Sequence, residues 1–225
     1  RRPPPPMPPP PPRRTVLKAT AVAAGASLLG RFASVQAGEV SASDYQSLDA
    51  WAMAEAVRKG ELTPEALLDA TLARHALVNP KVQAVNMLHQ EYARTLLAQR
   101  RAAGHAAQGA LAGVPLLLKD LNTYLQGTAT SNGSRLFKDA PPATLTSTLI
   151  ARYERAGAVP FGKTTCPEFG LTTTTESMAW GQTRNPWNLG HSAGGSSGGA
   201  ASAVAAGIVP VSYTHLRAHE TRGNL

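Results

Sequence analysis

Hydrophobic positions recur at helical spacing through the first part of the chain and then gather into short continuous runs. Asp49 to Lys59 is amphipathic and closed by Gly60, which predicts a helix with a glycine stop. Thr63-Pro64 supplies an N-cap and a proline at the first helical position, and the helix they open is expected to end near Asn79-Pro80. Val82 to Leu88 reads as a short strand, and His89 to Arg101 as a third helix with Tyr92, Leu96 and Leu97 on one face. Then the character changes. Val114 to Leu118 is apolar at every position, the pattern of a strand buried on both faces. Leu145 to Arg155 predicts a helix, and Ala158 to Phe161 a second buried strand. Buried strand alternating with helix argues for an α/β fold, a mixed or parallel sheet flanked by helices.

The two ends do not share this pattern. Residues 1–12 are arginine and proline with one methionine, a composition that cannot pack a core. Arg13-Arg14-Thr15-Val16-Leu17-Lys18 then leads into the apolar run Ala19 to Gly30 and on to Val35-Gln36-Ala37. A basic stretch, a short apolar stretch and a small-residue cleavage site form the order of an export signal. The paired arginines resemble a twin-arginine signal, so residues 1–37 are expected to be removed and the mature chain exported, to the periplasm or outside the cell. The apolar run is too short to be a stable bilayer anchor, and contact with a membrane is expected only through this signal. Position 1 is Arg, with Met7 as a plausible initiator, in keeping with an incomplete chain or a misplaced start.

Charge changes the picture less than its total suggests. The net charge is +8, but residues 1–37 carry six Arg and Lys and no acid, and residues 212–225 carry two Arg and one Glu. The body, 38–211, is left with 14 basic and 13 acidic residues, no footprint for a phosphate backbone, so no nucleic-acid partner is expected. Cys166, the single cysteine, reads as a small buried filler rather than a nucleophile. His75, His89 and His105 read as surface or satisfied residues, and no cluster suggests a metal. Gly157 to Thr164 matches the phosphate-loop pattern G-x-x-x-x-G-K-[ST]. Its context is inverted: a helix precedes it, its middle is strand-like, and Pro167 blocks a helix after it.

The densest chemical signal is Gly194-Gly195-Ser196-Ser197-Gly198-Gly199, followed by the small-residue run Ala200 to Gly207. Alone it reads either as a flexible linker or as a Gly/Ser loop feeding a helix N-terminus, where free N–H groups face whatever the serines touch. Upstream stand Gly113-Val114-Pro115-Leu116-Leu117-Leu118-Lys119-Asp120, Gly162 to Gly170, and Gly181-Gln182-Thr183-Arg184-Asn185-Pro186-Trp187-Asn188. These blocks, in this order, resemble the amidase signature family, serine hydrolases of carboxamides. The resemblance runs from about Ala42 to Val211 and covers only the N-terminal part of a family domain, so the chain is expected to be truncated.

Lys119 closes a run of apolar residues at the end of a predicted buried strand. From residues alone two readings stand: a desolvated amine able to act as a base, or a side chain that snorkels to the surface and pairs with Asp120. The resemblance implies the first, with Lys119 as the catalytic lysine and Ser196, after a cis Gly195–Ser196 peptide, as the serine that relays its proton. Ser197 is the lesser candidate. It also implies that main chain near Gly170 lines the acyl pocket opposite Ser196, making Gly170 and Ser196 substrate-binding. The Gly181–Asn188 block is expected to shape the loop around the site, with Arg184 and Trp187 equally readable as structural anchors. No cofactor or metal is implied, and the expected partner is a small-molecule amide.

After Val211 the blocks stop. The resemblance places the acylating serine at about position 220, which is Glu, and residues 212–225 lack the glycines of an oxyanion loop and look foreign. His215 and His219 have no third ligand and no metal pattern around them. The expectation is an exported amidase inactive as written, because the attacking serine and the oxyanion donors are both missing. The rival is a non-catalytic exported protein that binds an anion or a peptide at the Gly/Ser loop. The export signal and near-neutral body argue against the family branch that acts on aminoacyl-tRNA.

Overall fold

A computed structural model describes residues 40–213. The expected export signal over 1–37 and the tail from 214 onward lie outside the described residues. The fold is mixed α/β, as the patterning indicates. Helices α1 (Ala42–Ser47), α2 (Ala50–Arg58) and α3 (Pro64–Val82) come first, then strand β1 (Val85–Leu88) and helix α4 (Gln90–Ala102). Strand β2 (Pro115–Lys119), helix α5 (Thr148–Arg155) and strand β3 (Val159–Thr164) follow. Short strands β4 (Glu176–Ser177), β5 (Gly181–Gln182), β6 (Arg184–Asn185) and β7 (Asn188–Ser192) lead to helix α6 (Gly198–Ala205).

The central sheet has the order β1-β3-β2, with β3 antiparallel to β1 and parallel to β2. Ser212 adds a parallel bridge to Leu117 on the far side of β2, and the Tyr213 N–H donates to the Leu117 carbonyl at 3.0 Å. Every residue of β2 and β3 is buried, as their apolar runs require. On one side Leu68, Val82, Leu97, Phe161, Ala203 and Ile208 form a single cluster, and on another Leu116, Leu118 and Leu125 pack with Ile150 of α5.

The departures from the sequence reading have local causes. Helix α1 has no counterpart in the hydrophobic pattern: it buries only Tyr45, so no apolar period marks it, and its signal is the Ser41 hydroxyl that accepts the Asp44 N–H at 3.1 Å. Helix α3 runs through Pro80 to Val82, the first residue of the predicted strand, and β1 starts only at Val85. The Asn79 side chain makes that reversal, accepting the N–H groups of Ala84 and Val85 and donating to the Val85 carbonyl, each at 2.9 Å, around a left-handed Gln83 with φ 51°. Strand β3 continues past Phe161 through Gly162-Lys163-Thr164, polar residues that resemble a loop in sequence but are paired on both sides. From Val159 to Thr164 the phosphate-loop pattern is therefore strand, and no α-helix opens directly after it to receive a phosphate.

His105 is exposed, as expected, but His75 and His89 depart from expectation: each has a buried Nε2 with no hydrogen-bond partner among the described residues. His89 sits at the start of α4 beside a cleft of about 470 Å³ shared with Tyr92 and Thr128. Burial first, and the nearby Lys163 charge second, push its imidazole down to about 4. The unfolded chain then binds a proton that the folded chain refuses as pH falls from the usual 6.5 toward 4, so this residue takes stability away through that window. Comparing urea unfolding at pH 7 and 4.5, His89→Phe is expected to remove on the order of 2 kcal/mol of the acid-induced loss. An equal loss in both proteins refutes it.

Candidate active site

The site forms where the C-terminal end of β2 meets the loop that opens α6. Lys119 is the last residue of β2 and is fully buried, so the snorkelling alternative does not hold. Its Nζ donates to Ser196 Oγ at 2.8 Å and to Ser197 Oγ at 2.9 Å. Ser196 is 1% exposed, and the Gly195–Ser196 peptide is cis. Ser197, ranked lower from sequence, stands almost as close to the amine as Ser196.

Glycines let the loop come this near. The Gly199 N–H donates to the Thr165 carbonyl at 3.2 Å, which seats the first turn of α6 on the end of β3. A Cβ at Gly199 would lie 2.4–2.5 Å from Thr165 Oγ1, N and O. Thr175 braces the other side: its hydroxyl donates to the Gly194 carbonyl at 2.7 Å and accepts the Gly198 N–H at 3.2 Å. Gly170, with φ +66°, faces the same point, since a Cβ there would lie 3.7 Å from Ser196 Oγ. Lys119, Ser196 and Gly170, far apart in sequence, therefore converge.

Asp120 does not pair with Lys119 as the surface reading required. Its carboxylate accepts the Ser131 N–H at 2.8 Å, the Ser131 hydroxyl and Asn86 Nδ2 at 2.8 Å, while Trp180 Nε1 donates to Ser131 Oγ at 2.8 Å. The Lys119 carbonyl accepts the Leu121 N–H at 2.8 Å and the Thr123 hydroxyl. Sequence reasoning missed this support, Thr175 included, because nothing in the spacing of Asn86, Ser131, Thr175 and Trp180 brings them together. Cys166 is buried with its thiol pushed up to about 12, chiefly by burial, and donates to the Asp120 carbonyl at 3.2 Å, a filler as read and no nucleophile. Within the Gly181–Asn188 block, Arg184 Nη1 donates to the Leu189 carbonyl at 2.9 Å across the β6–β7 hairpin, whereas Trp187 is 85% exposed and its backbone N–H donates to Asn185 Oδ1 at 2.9 Å within the turn. No group of three or more His, Cys, Asp or Glu converges as a metal site among the described residues.

Chemically, an amine held between two hydroxyls can take a proton from one of them and return it, the requirement for general-base activation of a nucleophile. The family profile named Amidase matches residues 66–214. The chain belongs to the amidase family. Among its relatives, the 6-aminohexanoate-cyclic-dimer hydrolase of Paenarthrobacter ureafaciens is 43% identical over 175 residues, 77% of this chain and 34% of that protein. A glutamyl-tRNA(Gln) amidotransferase subunit from Roseiflexus sp. (strain RS-1) is 45% identical over 159 residues, 69% of this chain and 32% of that protein. Among solved structures, 6-aminohexanoate cyclic dimer hydrolase complexed with substrate aligns with TM-score 0.69 at 44% identity, covering 75% of this chain and 34% of that one. A bacterial aryl acylamidase of the amidase signature family aligns with TM-score 0.68 at 36% identity, covering 73% and 34%. This amidase chain thus spans about a third of the length of the curated relatives it matches.

Proposed function

We propose that this amidase chain carries the proton-transfer part of a serine-type amide hydrolase, with Lys119 as base and Ser196 as relay. The observation behind the reading is the buried contact between Lys119 Nζ and Ser196 Oγ at 2.8 Å. In this reading Ser196 takes the proton of an attacking serine as it passes its own to the neutral Lys119 amine. The serine oxygen adds to the carboxamide carbon, the proton returns through Ser196 to the leaving nitrogen, and the C–N bond breaks. Water then attacks the acyl-enzyme along the same path. Main chain at Gly170, facing Ser196, supports the acyl side of the substrate.

The attacking serine is not at position 220, which is Glu, so the 225-residue chain is proposed to hold the relay without the nucleophile. The substrate class is a small-molecule carboxamide, handled without metal or organic cofactor. Relatives acting on small amides and relatives from amidotransferases match at similar identity. The near-neutral body favours the small-molecule branch over an RNA-bound substrate. Export by a twin-arginine-type signal is proposed on Arg13-Arg14, the apolar run to Gly30 and the small-residue site ending at Ala37.

A serine-directed fluorophosphonate probe tests the reading. The amidase frame carried past Val211 is expected to label on a serine downstream of Ser196, and the 225-residue chain is expected not to label. An extended product that folds yet never labels points to the non-catalytic binder instead.

A further inference from the structure

Lys163 has no part in this chemistry, yet it is buried as completely as Lys119. In the parallel β2–β3 pair Leu118 lies beside Lys163, and Lys119 beside Thr164. Neighbours along a strand alternate faces, so the two lysines leave the sheet on opposite sides. Lys163 Nζ donates to the Thr123 carbonyl at 3.0 Å and to Thr130 Oγ1, and so ties the two ends of residues 123–130 together. That segment grips the end of β2: the Thr123 hydroxyl donates to the Lys119 carbonyl, and Ser131, the next residue on, holds the Asp120 carboxylate through its N–H and hydroxyl.

A buried ammonium is costly, and methionine would fill the same volume without that cost. The titratable groups that face Lys163 are Asp120, Cys166 and His89. Burial holds the His89 imidazole and the Cys166 thiol neutral near pH 7, leaving Asp120 as the opposite charge. Burial pushes the Lys163 amine down to about 8, with Asp120 opposing the shift.

We propose that Lys163 is a positioning residue for Lys119: it fastens both ends of the segment that holds the Lys119 carbonyl and Asp120. This rests on reading Lys119 as the base, but its test makes no use of catalysis, so a failed nucleophile test leaves the result standing.

The test follows lysine titration in the 225-residue chain labelled with [ε-13C]lysine, the Lys119 signal being assigned with Lys119→Met. Lys163→Met frees both ends of residues 123–130, which lets water reach the end of β2 and lowers the burial penalty on the amine, so the Lys119 midpoint is expected to rise by about half a pH unit, a roughly threefold change in protonation ratio. Thr130→Val keeps the lysine, deletes one acceptor, and is expected to move the midpoint the same way by less. Amide exchange in both variants should speed up at Leu121 and Ser131 and stay unchanged in α2 and α3. A Lys119 midpoint unmoved in both folded variants overturns the proposal; if Lys163→Met does not fold, Thr130→Val decides alone.

Discussion

Lys119→Met is expected to lower amide hydrolysis by the extended amidase about a thousandfold in kcat/KM, within the range for losing a positioned general base. Methionine fills the same buried volume, so the sheet end keeps its packing, but it offers no lone pair to Ser196 or Ser197 at the 2.8 and 2.9 Å the amine now spans. Ser196→Ala should cost a comparable amount, and the double variant little more, because groups that act as one relay do not lose rate additively. Steady-state kinetics on a small aryl amide, with circular dichroism to confirm folding, gives the answer. Retention of more than about a tenth of the wild-type rate by Lys119→Met would remove the lysine from the mechanism.

The second large effect is on stability. Gly199→Ala is expected to cost about 3 kcal/mol, at the upper end for inserting one carbon into a packed site. The obstacles are the Thr165 N and O atoms, 2.5 Å from the new Cβ, together with Thr165 Oγ1; main chain cannot swing aside as a flexible side chain can. The Gly199 N–H to Thr165 O bond would be lost as α6 is pushed off β3. The contrasting variant is Gly60→Ala, where a Cβ meets nothing within 4 Å and the cost is only the left-handed backbone, φ +71°, about 1 kcal/mol. Urea unfolding of the chain compares them, and equal losses would show that close approach at Gly199 is not what seats the helix.

Much of the architecture is legible in one dimension because it depends on local rules. Asp49 and Thr63 cap the helices that follow them, each accepting an N–H three residues on. The unbroken apolar run before Lys119 has the pattern of a strand covered on both faces, and β2 is that strand. What escaped were elements whose stability comes from distant partners. Gly162-Lys163-Thr164 looks like a loop until β1 and β2 are laid on either side of it, and the extra turn of α3 depends on an asparagine that bonds across the reversal.

The site divides along the same line. By itself the sequence determined that an amine follows a buried strand, that serines sit in a glycine-rich turn ahead of a small-residue helix, and that these belong to an amide-hydrolase pattern. Residue type and spacing suffice there, because strand burial and helix entry are governed by neighbours in the chain. Only the tertiary structure decided that the amine reaches both serines, that Asp120 turns away to Ser131 and Asn86, and that a second lysine lies beneath the same strand end. Those outcomes depend on which backbones approach within a few ångströms, and that is set by packing between segments tens of residues apart.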